Sequence, residues 1–371
     1  MFDQSDILSL NSGYALLQTE DGIQFEGSGN ITTYDDDKDG KVKTLVQLIN
    51  GKNTVNEIIQ EFTHKYNNVS KQEVEEILKD FYDEGFLENT SEDEQYFSLL
   101  TAYQHERYLR NIGFFQMFTK NHLNKYIAQK KISDSKICLL GLGGLGSHIA
   151  FSLAGMGVGT IKAVEFDEVE LSNLNRQILY TPNDIGKSKA QQAEKRIKEF
   201  NPDINFSTVE TQLSSPEQIA EIIHGFDFVI SVADKPRFLL ADWVNQAVVA
   251  ENIPLLLTGL DTTRAMLQSI VPHETGCLQC WRDGITDAKS VNMYNYRKES
   301  NIDGDNAAYT TLVPISAGLV CSELTKYILG YGEIKSKGKL LKFDFNNFTL
   351  EVEEEWTRNI NCKVCGGSIH G

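Results

Sequence analysis

Glycines, acids and cations follow two apolar runs near the middle of the 371-residue chain, in a spacing that suits phosphate chemistry. The first run, Ile137–Leu140, leads into a turn that contains Gly141, Gly143, Gly144 and Gly146. Glycines let backbone N–H groups approach a phosphate, and the N-terminus of the following helix adds partial positive charge. The second run, Ile161–Phe166, ends in Glu165 and Asp167, about 20 residues after the glycines. This layout predicts a βαβ unit that binds a nucleotide.

More polar and cationic side chains lie just beyond this unit. Asn175, Arg176 and Gln177 follow the second strand, and Lys189 opens the next predicted helix. A site that cleaves a triphosphate uses such cations, because charge builds up on the phosphate oxygens. A nicotinamide dehydrogenase, the alternative for a glycine turn with an acid, has no need for them. The sequence therefore favours a triphosphate over a nicotinamide cofactor, and NAD(H) binding would reverse that preference.

Alternating helices and strands must position these groups. A helix to about Phe200, a strand at Asn205–Glu210 and a helix at Pro216–His224 lead to a buried strand, Phe226–Val232. Asp234 follows this strand, and ligands bind at the carboxyl ends of strands in such sheets. Capping the next helix is the alternative role for Asp234. We predict an α/β fold with a Rossmann-like, mostly parallel sheet that continues with antiparallel strands from about Met266.

Together these motifs resemble the E1-like adenylating superfamily, which includes the ThiF and MoeB enzymes that activate sulfur carriers and ubiquitin-like proteins. The resemblance covers about Glu106 to Cys365. It implies that ATP binds at the glycine turn, that Asp234 holds Mg²⁺, and that Glu165, with Asp167 nearby, holds the ribose. It also implies phosphate contacts from Asn175, Arg176, Gln177 and Lys189. Glu165 stands where the family usually has aspartate.

The same resemblance assigns a role to an arginine upstream of the nucleotide motifs. His105–Asn111 is similar to the family's RYxRQ-like helix, whose second arginine reaches the ATP of a partner subunit in a dimer. By position that residue is Arg110, with Asn111 in place of the usual glutamine. The resemblance thus implies a homodimer. A surface arginine on a connecting helix is the alternative.

Four of the six cysteines form two CxxC pairs, Cys277/Cys280 and Cys362/Cys365. Two such pairs can close a tetrahedral Cys₄ zinc site, and both occupy the family's positions. No coordination position remains for water, so the predicted zinc is structural. Cys138 and Cys321 fall in apolar segments and are predicted to be core residues. Relatives that form thioesters carry a cysteine in the crossover loop, predicted here at residues 281–310, where this chain has Tyr309-Thr310-Thr311.

The first 92 residues have a pattern of their own, with three short strands, three helices and a returning strand. This pattern predicts a small winged-helix α+β domain. Its third helix is rich in acids, which disfavours DNA and favours a peptide added as a strand to the sheet edge. The region resembles the PqqD-like domains that recognise precursor peptides. A structural or dimerisation domain is the alternative. Ser91–Gln95 is the predicted linker, residues 93–134 carry the helix with Arg110, and residues 135–371 form the adenylation domain.

Composition limits the remaining options. The net charge of −17 argues against general nucleic-acid binding, which needs a basic surface. No signal peptide or membrane-spanning apolar run is apparent, so we expect a cytoplasmic protein with no membrane partner.

The layout as a whole is similar to enzymes that mature ribosomally made peptides, of the microcin C7 adenylating and pantocin maturase types. This similarity implies that the leader of a precursor peptide is bound and that a carboxyl or amide group is adenylated, with AMP either retained or released. Activation of a sulfur carrier or ubiquitin-like protein is one alternative. A non-catalytic protein that delivers precursors is another.

Overall fold

The computed structural model describes residues 2–19, 22–27, 29–35, 39–236, 239–285 and 308–367. The chain divides into two compact units, Met1–Lys131 and Ile132–Gly371. Most of the predicted crossover loop, residues 286–307, lies outside the described residues.

The first unit combines short strands with seven helices in its described part. The strands are β1 (Leu8–Leu10), β2 (Ala15–Gln18), β3 (Gly22–Gly27), β4 (Asn30–Asp35) and β5 (Leu87–Asn89). The helices are α1 (Lys41–Leu48), α2 (Val55–Lys65), α3 (Lys71–Asp83), α4 (Thr90–Phe97), α5 (Ala102–Arg107), α6 (Leu109–Thr119) and α7 (Lys125–Asp134). Strands β2, β3 and β4 form an antiparallel sheet, and β1 pairs with β5.

Local sequence signals explain where these helices begin. The predicted capping box is confirmed, because Glu73 N–H donates to Ser70 Oγ and Ser70 N–H donates to the Glu73 carboxylate. Such reciprocal bonds satisfy helix N-terminal donors that otherwise lack partners. Apolar faces of α1, α2 and α3 pack with β3 around a common core that includes Phe25, Phe62 and Phe81.

The predicted linker at Ser91–Gln95 is wrong, since these residues lie inside α4. The side chain of Asn89 caps this helix by accepting from Ser91 N–H and Glu92 N–H. Lys125 then pairs with Asp93 at 2.6 Å and with Glu88 at 2.9 Å. The acids that resemble a solvated linker in sequence therefore anchor α4 to α7 and β5.

The second unit is built on an eight-stranded sheet in the order β13-β12-β11-β10-β9-β6-β7-β8. Its strands are β6 (Lys136–Leu140), β7 (Thr160–Glu165), β8 (Asn205–Glu210), β9 (Phe228–Ser231), β10 (Leu255–Leu260), β11 (Arg264–Ile270), β12 (Lys339–Asp344) and β13 (Thr349–Glu355). Its helices are α8 (Gly144–Met156), α9 (Lys189–Phe200), α10 (Pro216–Ile223), α11 (Leu240–Glu251), α12 (Leu278–Gly284) and α13 (Leu312–Leu329).

Strands β8, β7, β6, β9 and β10 are parallel, and β10 to β13 are antiparallel. The predicted mostly parallel sheet with an antiparallel continuation is thus confirmed. Strand β6 is fully buried from Ile137 to Leu140, as expected for a strand with both faces covered.

Helix α13 is apolar enough and, at 18 residues, long enough to cross a membrane, alone among the helices of the described segments. It packs against α8, β10 and β11, and 56% of it is buried inside the protein. Core helices pass the same test of length and hydropathy, so this finding carries no further weight.

Candidate active site and cysteine cluster

A cleft of about 640 Å³ opens at the carboxyl ends of β6, β7, β9 and β10. The fold brings nine of the residues predicted from the sequence to its lining: Gly141, Gly143, Gly144, Glu165, Asp167, Arg176, Gln177, Lys189 and Asp234. Parallel strands place their carboxyl ends at one sheet edge, which is why residues distant in sequence meet here.

The glycine turn after β6 needs its glycines for close backbone packing. Gly141 has φ +100°, and a Cβ there would lie 2.9 Å from Ala233 N. A Cβ on Gly146 would lie 2.0 Å from Gly141 O, so a side chain at position 146 would displace the backbone of the turn. Helix α8 starts at Gly144 without a side-chain cap. Its first N–H groups are therefore available to an anion.

Glu165 ties the end of β7 to this turn. Its Oε2 accepts from Leu142 N–H at 2.9 Å, and its Oε1 accepts from Phe166 N–H and Asp167 N–H at 2.8 and 3.0 Å. Each carboxylate oxygen can accept a further bond, so these contacts leave capacity for a hydroxyl donor. The longer side chain of glutamate therefore reaches the backbone of the glycine turn. A contact between Glu165 and a ribose stays a prediction.

Two of the predicted cations, Lys189 and Arg176, line the same cleft. Lys189 is buried and lies 3.3 Å from the half-exposed carboxylate of Asp167. Arg176 Nη1 donates to Ser172 O at 3.2 Å and to Asn175 Oδ1 at 2.9 Å. Asn175 is exposed and does not line the cleft. This position suits a side chain that orients Arg176 better than one that contacts a ligand directly.

Gln177 is only 3% exposed, and its Oε1 has no hydrogen-bond partner among the described residues. A buried acceptor without a partner costs free energy, and the residue lines the cleft. A ligand donor, such as a hydroxyl or amino group, would satisfy it.

Asp234 lies three residues after β9, exposed in the cleft. Helix α11 begins only at Leu240 with Leu239 at its cap position, so the alternative that Asp234 caps this helix is wrong. An exposed carboxylate in this cleft fits a hard cation such as Mg²⁺.

Arg110 belongs to the first unit, where it is exposed in the first turn of α6. Its predicted role across a dimer stays a prediction.

Sequence reasoning missed several residues that line the cleft, among them Asn173, Lys235 and Thr258. Asn173 and Lys235 each stand within two positions of a predicted site residue, which is a signal that could have identified them. Thr258 lies on β10 and bonds Ser316 Oγ at 2.7 Å, and only the tertiary fold brings it to the cleft.

The second candidate site is the cluster of Cys277, Cys280, Cys362 and Cys365. All four sulfurs are buried and lie within 4.8 Å of one another. Three of the Sγ–Sγ distances are 3.3, 3.7 and 4.0 Å. Tetrahedral zinc with Zn–S bonds of about 2.3 Å needs about 3.8 Å between sulfurs. The cluster therefore fits zinc, while a disulfide would need about 2.05 Å.

Neighbouring backbone groups support thiolate ligands in this cluster. Asn359 N–H donates to Cys280 Sγ at 3.3 Å, and Val364 N–H donates to Cys362 Sγ at 3.4 Å. Asn245 of α11 accepts from Leu278 N–H and so holds the first knuckle.

The other two cysteines are core residues, as predicted. Burial raises the pKa of Cys138 and of Cys321 to about 12. Thiols with such pKa values stay protonated near neutral pH and are poor nucleophiles. Neither cysteine lines the cleft.

Comparison with known proteins defines the class of this site. The ThiF family model matches residues 108–364, and the chain belongs to the ThiF family. This family consists of E1-like adenylating enzymes, so ATP-dependent adenylation, with ATP and Mg²⁺, is the reaction class that the fold and the family support.

A curated relative has the same enzyme class. The chain is 32% identical over 247 residues to the sulfur carrier protein ThiS adenylyltransferase of Escherichia coli. This match covers 65% of this chain and 89% of the relative.

Solved structures match nearly the whole chain. Escherichia coli MccB, in a structure with AMPCPP and MccA, superposes with a TM-score of 0.77 at 22% identity over 97% of this chain and 100% of that chain. PaaA superposes with a TM-score of 0.68 at 22% identity over 93% of this chain and 99% of that chain. At this identity the likeness establishes the fold.

Proposed function

We propose that the protein uses ATP–Mg²⁺ to adenylate a carboxyl or amide group of a ribosomally made precursor peptide during biosynthesis of a peptide natural product. The observation that carries this proposal is the extent of the structural likeness. It includes the first unit, whereas the ThiS adenylyltransferase match covers 65% of the chain. One matching structure is of the microcin C7 biosynthetic enzyme MccB in complex with N-formylated MccA.

The first unit would bind the leader of that precursor. Its antiparallel β2-β3-β4 sheet and three helices agree with a winged-helix, PqqD-like recognition domain over residues 1–92. Strand β2 and strand β4 are edges of this sheet, and an extended peptide can add to such an edge through main-chain hydrogen bonds.

The reaction would follow from the cleft's charges. An oxygen of the substrate carboxylate attacks the α-phosphorus of ATP, a P–O bond forms, and the bond to the β-phosphate breaks to release pyrophosphate. Asp234 would hold Mg²⁺, which neutralises charge on the phosphates. Arg176, Lys189 and Arg110 of the partner subunit would stabilise charge on the leaving group.

Other cleft residues would position the nucleotide. The turn containing Gly141, Gly143, Gly144 and Gly146 would receive the phosphates, with Gln177 assisting and Asn175 orienting Arg176. Glu165 and Asp167 would lie at the ribose. Catalysis by positioning and charge neutralisation requires no protein nucleophile, which agrees with the inert Cys138 and Cys321.

The test is intact mass spectrometry of a short peptide encoded beside this gene, incubated with enzyme, ATP and Mg²⁺. A peptide that gains AMP would identify a nucleotidyl transferase. A peptide that loses water, with AMP released, would identify an adenylate that goes on to a ring or crosslink. An unchanged peptide would count against the proposal.

Activation of a sulfur carrier is the second candidate, and the ThiS adenylyltransferase relative favours it. ATP–pyrophosphate exchange that depends on a carrier with a C-terminal Gly-Gly tail, and not on short peptides, would select it. A third possibility is a non-catalytic protein that binds leaders, and this would require equal ATP turnover in wild type and D234A.

A further inference from the structure

The tip of the β12–β13 hairpin carries an exposed aromatic ring on an unfavourable backbone. Phe348 has φ +54°, a left-handed conformation that bulky residues rarely adopt, and its side chain is 70% exposed. Phe348 N–H donates to Asp344 O at 2.8 Å, and Asn346 N–H donates to Asp344 Oδ1 at 2.9 Å, so the tip is fixed. Strain of this kind is concentrated at functional sites, and a ring held in solvent does not contribute to the core.

Phe348 belongs to a group of four rings, Tyr309, Phe343, Phe345 and Phe348, which we term the hairpin aromatic cluster. Phe348 lies 5.7 Å from both Phe343 and Phe345, between ring centroids, and Tyr309 lies 6.4 Å from Phe345. Tyr309 is itself 60% exposed. Exposed rings packed on one another form a rigid apolar surface of the kind that anchors a partner.

This cluster continues the lining of the cleft. Ala308, which precedes Tyr309, and Leu260, at the end of β10, both line the cleft. Phe345 N–H donates to Thr263 O at 2.8 Å, in the turn that joins β10 to β11. The cluster therefore lies on the side of the cleft away from the glycine turn.

The sheet order sets the distance from the reacting groups. Asp234 follows β9, and the hairpin tip follows β12, three strands away. Three strand spacings of about 4.8 Å make about 14 Å, which an extended chain covers in about four residues.

Cations lie opposite the acids beside the cluster. Arg264 faces Asp344 across β11 and β12, and Lys342 faces Glu351 across β12 and β13. These charges are therefore balanced within the sheet, and the apolar rings define which side chain the surface would accept.

We infer that the hairpin aromatic cluster is a substrate subsite that receives an aromatic or large aliphatic side chain about four residues from the group that is adenylated. This inference rests on the proposed function, because it specifies the sequence of the peptide substrate.

The experiment uses the full-length enzyme and a pool of synthetic peptides that carry the leader of the peptide encoded beside this gene, followed by randomised positions. The pool is incubated with ATP and Mg²⁺ and read by mass spectrometry. Modified peptides should be enriched about tenfold in aromatic or large aliphatic residues at the predicted position. F348N should remove this enrichment, because asparagine tolerates the left-handed backbone but offers no ring. I360N is the matched control, since Ile360 is similarly exposed at 66% and lies outside the cluster. It should retain the enrichment.

The outcomes separate the two hypotheses. If no peptide is modified, both the proposed function and this inference are overturned. If peptides are modified without an apolar preference, or F348N keeps the preference, only the inference is overturned.

Two further measurements test other occupants of the surface. Sedimentation of F348N should match wild type, and a smaller species would assign the cluster to a contact between copies of the chain. The melting temperature of F348N should equal or exceed that of wild type, because the backbone strain is relieved. A fall of about 5 °C would mean that the chain itself covers the ring, and would overturn the inference.

Discussion

The candidate active-site cleft and the four-cysteine cluster lie in the same unit but differ in whether their polar atoms have hydrogen-bond partners. In the cleft, Gln177 Oε1 lacks a partner among the described residues, and α8 begins without a side-chain cap. In the cluster, all four sulfurs are buried, and backbone N–H groups donate to Cys280 and Cys362. Unsatisfied polar groups cost free energy, so they are retained where a ligand will satisfy them. Variants in the cleft should therefore change chemistry, and variants in the cluster should change stability.

The largest effect is expected for D234A. Removing the carboxylate proposed to hold Mg²⁺ should lower the adenylation rate about a thousandfold, equivalent to about 4 kcal/mol of transition-state stabilisation. ATP–pyrophosphate exchange measures this loss. The melting temperature should stay within about 2 °C of wild type, because Asp234 is exposed.

The matched control is E199A, which removes an exposed acid at the end of α9. It should leave exchange unchanged. Equal loss in both variants would argue for a general effect of charge, and no loss in D234A would exclude its predicted role.

The second-largest effect is expected for the four-cysteine cluster, where a substitution should change stability. C277S should lose bound zinc, as measured by metal analysis, and should lower the free energy of unfolding by about 3 kcal/mol or more, because zinc coordination couples to folding. C321A alters a cysteine that is also buried but lies outside the cluster. It should keep its zinc, and its stability should fall by about 1 kcal/mol, as for a small loss of core volume. Similar losses in both variants would mean that burial alone explains the cluster.

The third effect is expected for the glycine turn of the cleft, where one substitution should lower both stability and ATP affinity. G146A should lower the free energy of unfolding by about 2 kcal/mol and weaken ATP binding, because the added Cβ would lie 2.0 Å from Gly141 O and displace the turn. G155A, in the same helix, meets no atom within 4 Å. It should stabilise the protein by about 0.5 kcal/mol. Denaturant unfolding and ATP titration of both variants measure the contrast, and a stable G146A with normal ATP affinity would contradict it.

The same contrast explains how far the sequence could predict the structure. Apolar runs and the glycine turn identified the βαβ unit, because strand burial and turn conformation leave local patterns. The strand predicted at Phe226–Val232 was found at Phe228–Ser231, since pairing with β6 and β10 sets its ends. The two CxxC pairs were predicted as one site, and the structure brings their sulfurs together.

What the sequence could not predict depends on contacts between distant residues. The acids after Asn89 looked like a linker, but Lys125 lies more than 30 positions away and pairs with Asp93. Thr258 reaches the cleft only because β10 joins the sheet next to β9. The strain at Phe348 leaves no sequence signal, because phenylalanine is an unusual residue for a left-handed position.

The smallest effect is a pH dependence of stability that is expected from His148 of α8, which contacts the backbone of Arg176. Burial lowers the pKa of His148 below its ordinary value of 6.5, although a hydrogen bond with the backbone of Arg176 opposes this shift. As pH falls through 6.5, the unfolded chain takes up a proton that the folded protein disfavours, so the contribution of His148 to stability is lost on the acid side. Urea unfolding between about pH 7.5 and about pH 5.5 should thus show a shallower loss of stability for H148Q than for wild type. H224Q, which alters an exposed histidine paired with Glu251, is the comparison. If H148Q follows the wild-type pH profile, protonation of His148 does not cause the loss of stability at acid pH, because removing the imidazole would then leave that loss unchanged.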